Sequence, residues 1–139
     1  WAYAKSTAAA ERAERILREM QASSDPNLQP NAISFNAVIK AWSLSRDSRA
    51  LVKVMWLLKE MIEGLEKHGK KQLTPNANTF GSVLRVLAES NVPDRDKRAQ
   101  IIVSLMEKFG IEWNDWSRRQ LRRCSEKQDD ATQRGGRRR

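Results

Sequence analysis

The sequence predicts an all-α fold, an α-solenoid of stacked antiparallel helix pairs, on three observations. First, the block Pro30-Asn31-Ala32-Ile33-Ser34-Phe35-Asn36-Ala37-Val38-Ile39-Lys40-Ala41-Trp42 recurs at residues 75–87, an offset of 45, with five identities and conservative Ser/Thr, Ile/Leu and Lys/Arg pairs. Second, Trp42 to Met61, Leu87 to Met106 and Trp1 to Met20 are each 19 residues apart, so a second block follows each copy at a fixed distance. Third, the apolar residues inside the blocks recur with a helical period. A single helix pair leaves its apolar face uncovered, whereas stacked pairs share a continuous core. Two complete pairs flanked by half-pairs are close to the smallest array that holds together.

The elements follow in order. A helix over about 7–22 carries Ala13, Ile16, Leu17 and Met20 on one side. A helix over about 31–44 starts at Asn31, a good cap directly after a proline, and places Phe35, Val38, Ile39 and Trp42 at i, i+3, i+4 and i+7. Its partner over about 48–67 has a wide apolar face of Leu51, Val54, Met55, Leu58, Met61, Ile62 and Leu65. The helix over about 76–90 repeats the cap at Asn76 and the stripe at Phe80, Val83, Leu84 and Leu87. Helices over about 94–109, with Ile101, Ile102, Leu105, Met106 and Phe109, and over about 114–127 complete the set. Ser23-Ser24-Asp25-Pro26, Gly69 with two lysines, Pro93 and Gly110 separate them. Residues 128–139 lack apolar content and read as a flexible basic tail. Hairpin turns of the Asn-Gly or Asp-Gly type are absent, and the β-branched residues fall within helical stripes.

The chain has 139 residues, 26 Lys+Arg and 17 Asp+Glu, for a net charge of +9 that points toward a polyanionic partner. Residues 118–139 alone carry +6, which leaves a mildly basic body of +3. No apolar run approaches the roughly 20 residues of a membrane helix. One cysteine, Cys124, forms no internal disulfide or zinc cluster and fits a reducing compartment. Phosphate loops, metal-ligand spacings and nucleophile motifs are missing, so neither a cofactor nor a metal nor an enzyme active site is expected. The chain opens on Trp1 without a targeting pattern and reads as a segment of a longer protein.

In Pro-Asn-x-x-Ser/Thr-Phe-x-x-Val-Ile/Leu-Lys/Arg, followed by a helix ending in Met, the chain resembles the pentatricopeptide repeat family over nearly all of residues 1–127. The last copy closes on Met106-Glu107-Lys108-Phe109-Gly110-Ile111-Glu112-Trp113-Asn114, similar to the family's Met-x-x-x-Gly-Ile-x-Pro-Asn with Trp113 in place of proline. Tetratricopeptide repeats share a similar period but lack the Pro-Asn opening. The resemblance divides the chain into a partial repeat 1–31, repeats 32–76 and 77–114, a terminal capping helix 115–127 and the tail 128–139. The two repeats are 45 and 38 residues long, against a family length close to 35.

The resemblance implies a right-handed solenoid that binds single-stranded RNA on its concave face, one base per repeat. It also implies a role in processing, stability, editing or translation of mitochondrial or plastid transcripts, without catalysis. The reading position after the aromatic corresponds to Asn36 and Gly81, and its partner at the repeat end to Asn76 and Asn114. Asn31 closes the truncated repeat, and Ile33 and Asn78 correspond to the residue that wedges between bases. An amide has the donor and acceptor to read a base edge, whereas Gly81 has no side chain and is expected to discriminate little. Helical spacing independently puts Lys40 four residues after Asn36 and Arg85 four after Gly81, where cations would meet the phosphate backbone.

Plainer readings stand beside these. Lys40 and Arg85 also fit solvated helix ends, and Asn31 and Asn76 also serve simply as caps. Trp42 and Trp56 are expected in the packing, Trp113 and Trp116 over the exposed face of the last repeat. His68 reads as a solvated loop residue, Cys124 as a partly buried thiol, and Glu60, Glu63 and Glu66 as a solvated face. The same groove could instead hold a protein partner, or the chain could be the binding half of a larger enzyme. The Arg-rich end fits a nucleic-acid arm, a solubilising terminus or a linker.

Overall fold

Three helices open on the same reciprocal cap. The Ser34 N–H donates to Asn31 Oδ1 (3.0 Å) while the Asn31 N–H donates to Ser34 Oγ (2.8 Å). Asn76 with Thr79 repeats this at 3.0 Å both ways, and Asn114 with Ser117 at 2.7 and 3.1 Å. Each box satisfies two backbone donors that a helix start would otherwise leave bare. The computed structural model describes residues 4–136, with side chains over 5–125. The helices are α1 (Ala4–Ala22), α2 (Ala32–Ser45), α3 (Ala50–His68), α4 (Ala77–Glu89), α5 (Arg95–Lys108) and α6 (Asp115–Gly136). Short 3-10 turns lie at Pro26–Leu28 and Lys71–Leu73, and no strand occurs among the described residues. The all-α class and the position of each helix agree with the sequence reading.

The chain divides into two compact units, residues 1–75 and 76–139. In the first, α2 packs on both α1 and α3. Leu17, Phe35, Val38, Ile39, Trp42, Val54, Leu57, Leu58 and Met61 are buried there. Ion pairs tie α1 to α3 and the turn before it. Arg18 donates twice to the Glu60 carboxylate at 2.7 Å, Lys53 Nζ lies 2.9 Å from Glu14, and Arg49 lies 2.8 Å from Glu11. Burial alone would raise the Glu60 pKa, but hydrogen bonds from Arg18 and Gln21, with the charge of Arg18, together hold the carboxyl below its usual range. The extra length of this repeat after Met61 is anchored by Leu73, which is buried beside Gly64.

In the second unit α4 packs on α5 and α6, burying Phe80, Val83, Leu84, Leu87, Ile102, Met106 and Cys124. Arg95 is buried with its charge spread over two carbonyls, Nε donating to Cys124 O (3.1 Å) and Nη1 to Ser90 O (3.0 Å). That joins the end of α4, the start of α5 and the middle of α6. The chain leaves α5 through Gly110 at φ 63°, with Gly110 N–H bonded to Glu107 O and Ile111 N–H to Met106 O. This Schellman turn needs a left-handed residue, which glycine adopts without penalty.

Four expectations change. Trp56 is 59% exposed rather than packed, with Lys59 Nζ 5.3 Å from its ring centre. Its position lies on the flank of α3 that neither α1 nor α2 covers, since Val54, Leu57, Leu58 and Met61 already fill the covered side. Glu60 is not a freely solvated carboxylate but the clamp on Arg18. Cys124 is fully buried, its thiol within 3.5 Å of Leu84 O and Gln120 O. Finally, α6 continues through Gly136 past the expected end at 127. Residues 126–134 include the helix formers Glu, Lys, Gln, Ala and Arg without a glycine or proline, and each added residue gains a backbone hydrogen bond once the helix has started. The remaining tail residues 137–139, and Trp1 at the start of the 19-residue ruler, lie outside the described residues.

Candidate nucleic-acid interface

On α2 the buried stripe of Phe35, Val38, Ile39 and Trp42 decides which side is left open. Ile33, Asn36, Ala37 and Lys40 share that open side at i, i+3, i+4 and i+7. Ile33 is 78% exposed, Ala37 and Lys40 are exposed and Asn36 is half-buried. Leu44 continues the line one turn further. Asn31, exposed at the head of the helix, has its Oδ1 committed to the cap, so its amide nitrogen is the group it can offer. A large aliphatic side chain, an amide and a cation therefore follow one another along one side of α2.

The second unit arranges the corresponding residues differently. Asn76 caps α4 as Asn31 caps α2. Asn78 is exposed, and its Oδ1 accepts from Asn114 Nδ2 at 2.9 Å. Asn114 Oδ1 meanwhile accepts from the Ser117 N–H, so both ends of that amide are engaged within the protein. Gly81 is buried: the Trp116 ring covers it, and any Cβ there would fall against that ring. It offers a base neither a side chain nor an open surface. Arg85 is half-buried and paired with Glu89 at 3.5 Å, and Glu89 also accepts from Arg123 at 3.4 Å. The structure thus brings Asn78 and Asn114 together and partly neutralises Arg85, while Lys40 of the first unit has no ion pair among the described residues.

The positive charge that the sequence concentrates from residue 118 onward begins on α6, where Arg118, Arg119 and Arg122 are all exposed. Sequence reasoning missed the cap at Asn114-x-x-Ser117, the third occurrence of the Asn-x-x-Ser/Thr box that opens α2 and α4. Helix α6 therefore begins on the same cap as those two helices. Among the described residues no group of His, Cys, Asp and Glu is placed to hold a metal ion, and no helix is long and apolar enough to cross a membrane.

The family model for the pentatricopeptide repeat domain matches residues 15–90, more than half of the chain. The chain belongs to the pentatricopeptide repeat family. The matched span takes in the C-terminal part of α1, all of α2 and α3, and α4 to its end. It therefore includes both Pro-Asn openings and the open line on α2 of this pentatricopeptide repeat chain. No curated protein and no solved structure matches it.

Proposed function

We propose that the chain binds single-stranded RNA, without catalysis, through the open faces of its Asn-capped helices stacked as a right-handed solenoid. The observation that carries this reading is the line Ile33, Asn36, Lys40 on α2. A large aliphatic side chain left 78% in water has no folding role in its unit, and it adjoins an amide suited to a base edge and a cation suited to a phosphate. Membership of the pentatricopeptide repeat family supports it. Asn76 and Asn78 supply further amide donors, Asn114 positions Asn78, and Arg85 is a cation shared with Glu89. Gly81 contributes nothing chemical, so discrimination rests on Asn36. The biological setting we propose is processing, stability, editing or translation of mitochondrial or plastid transcripts.

Fluorescence anisotropy with a labelled single-stranded RNA at low salt tests the reading. Asn36→Ala combined with Lys40→Ala should weaken binding at least about tenfold, the combined loss of one base contact and one phosphate contact. Absence of binding, or binding indifferent to both changes, would sink it.

A further inference from the structure

We infer that Arg118, Arg119 and Arg122 on α6 form a platform for RNA phosphates, an inference that rests on the RNA-binding reading above. At i, i+1 and i+4 the three guanidinium groups project from one side of the helix. They border a shallow groove of about 550 Å³ together with Asp115 and Leu121. All three are exposed, and none has an ion pair with a described residue. The other arginines of α4 and α5, and Arg123 on the side of α6 toward α4, are committed. Arg85 and Arg123 share Glu89, Arg95 holds two backbone carbonyls, and Arg98 pairs with Asp94 at 3.2 Å. Three uncommitted cations around one groove, against the single carboxylate of Asp115, leave an excess of two positive charges.

The chemistry favours phosphate over a protein partner. A guanidinium offers a planar fork that matches two phosphate oxygens at once, so adjacent forks can follow a backbone. A protein interface of any strength needs buried apolar anchors, and the groove offers only the half-buried Leu121. Bases need not be read here: the platform adds affinity and orientation whatever the sequence. Gly81 and Arg85 leave the adjacent α4 poorly equipped to hold a strand, and the arginines of α6 make up that deficit within the same unit.

The test is the salt dependence of binding by the full 139-residue chain to a labelled oligouridylate. Replacing Arg118, Arg119 and Arg122 by alanine should flatten the slope of log K against log salt by about two, at roughly 0.7 per phosphate on a single strand, and weaken binding at least about tenfold at low salt. A control chain with Lys70, Lys71 and Lys97 replaced by alanine loses the same charge from exposed positions elsewhere and should keep nearly the original slope. Equal flattening in both variants would show that only net charge matters and would overturn the platform. An unchanged slope in the arginine variant, with binding still sensitive to Asn36→Ala and Lys40→Ala, would overturn the platform and leave the RNA reading standing. Failure of the unaltered chain to bind would overturn both.

Discussion

A methyl group added at Gly81 would fall against the six-membered ring of Trp116, whose Cε3 would lie 2.6 Å away, and would press on Ser117 Cβ at 3.2 Å. Neither neighbour is the loose end of a flexible chain, so Gly81→Ala should cost about 1–3 kcal/mol, measured by chemical denaturation. In a Trp116→Ala background the penalty should largely vanish, since the collision partner is gone. An amide therefore cannot be restored at this position by a single substitution. Asp47 gives the residue-scale pH prediction. Hydrogen bonds from the Arg49 side chain and backbone pull its pKa down to about 2 from 3.8. A carboxylate lowered on folding stabilises the fold above the unfolded value, and that contribution fades as pH falls from about 4 toward 2. Asp47→Asn should flatten the loss of thermal stability over that interval. The effect should be modest because the Arg49 partner is largely in water.

At the scale of elements, the caps and the clamps are separable from the proposed reading of RNA. Asn31→Ala removes the side-chain acceptor at the start of α2 and should cost about 1 kcal/mol. Asn31→Asp keeps an acceptor there and adds a charge that the helix start favours, so stability should hold while RNA affinity falls, because the amide donor is lost and a negative charge faces the phosphates. Thermal denaturation and anisotropy on the same two variants check both halves. Between α1 and α3, a double-mutant cycle on Arg18→Ala and Glu60→Ala should return a coupling of about 0.5–1 kcal/mol, the upper range for a bidentate pair that still touches solvent. Trp56 shows how lying within an apolar block differs from lying on the stripe of a helix. The stripe of Leu51, Val54, Met55, Leu58, Met61, Ile62 and Leu65 excludes Trp56, which shares the exposed side of α3 with Val52.

For the whole molecule, the net charge of +9 overstates what any one surface holds. Residues 126–139 contain five basic and three acidic residues, a net of +2. Removing them should change the salt slope of RNA binding by less than replacing the three arginines of α6, and anisotropy across a salt series compares the two directly. The sequence by itself determined the helices, the caps at Asn31 and Asn76 and the family, because period and Pro-Asn openings are local properties that act within a few residues. It also marked the open line on α2, since a clear buried stripe defines the side opposite it. Only the tertiary structure decided which expected site residues remain open. Gly81 is covered by a tryptophan 35 positions away, Arg85 competes for Glu89 with an arginine on another helix, and Asn114 donates to Asn78. The physical reason is that periodicity fixes the direction in which a side chain leaves its helix, whereas its neighbours there come from distant parts of the chain.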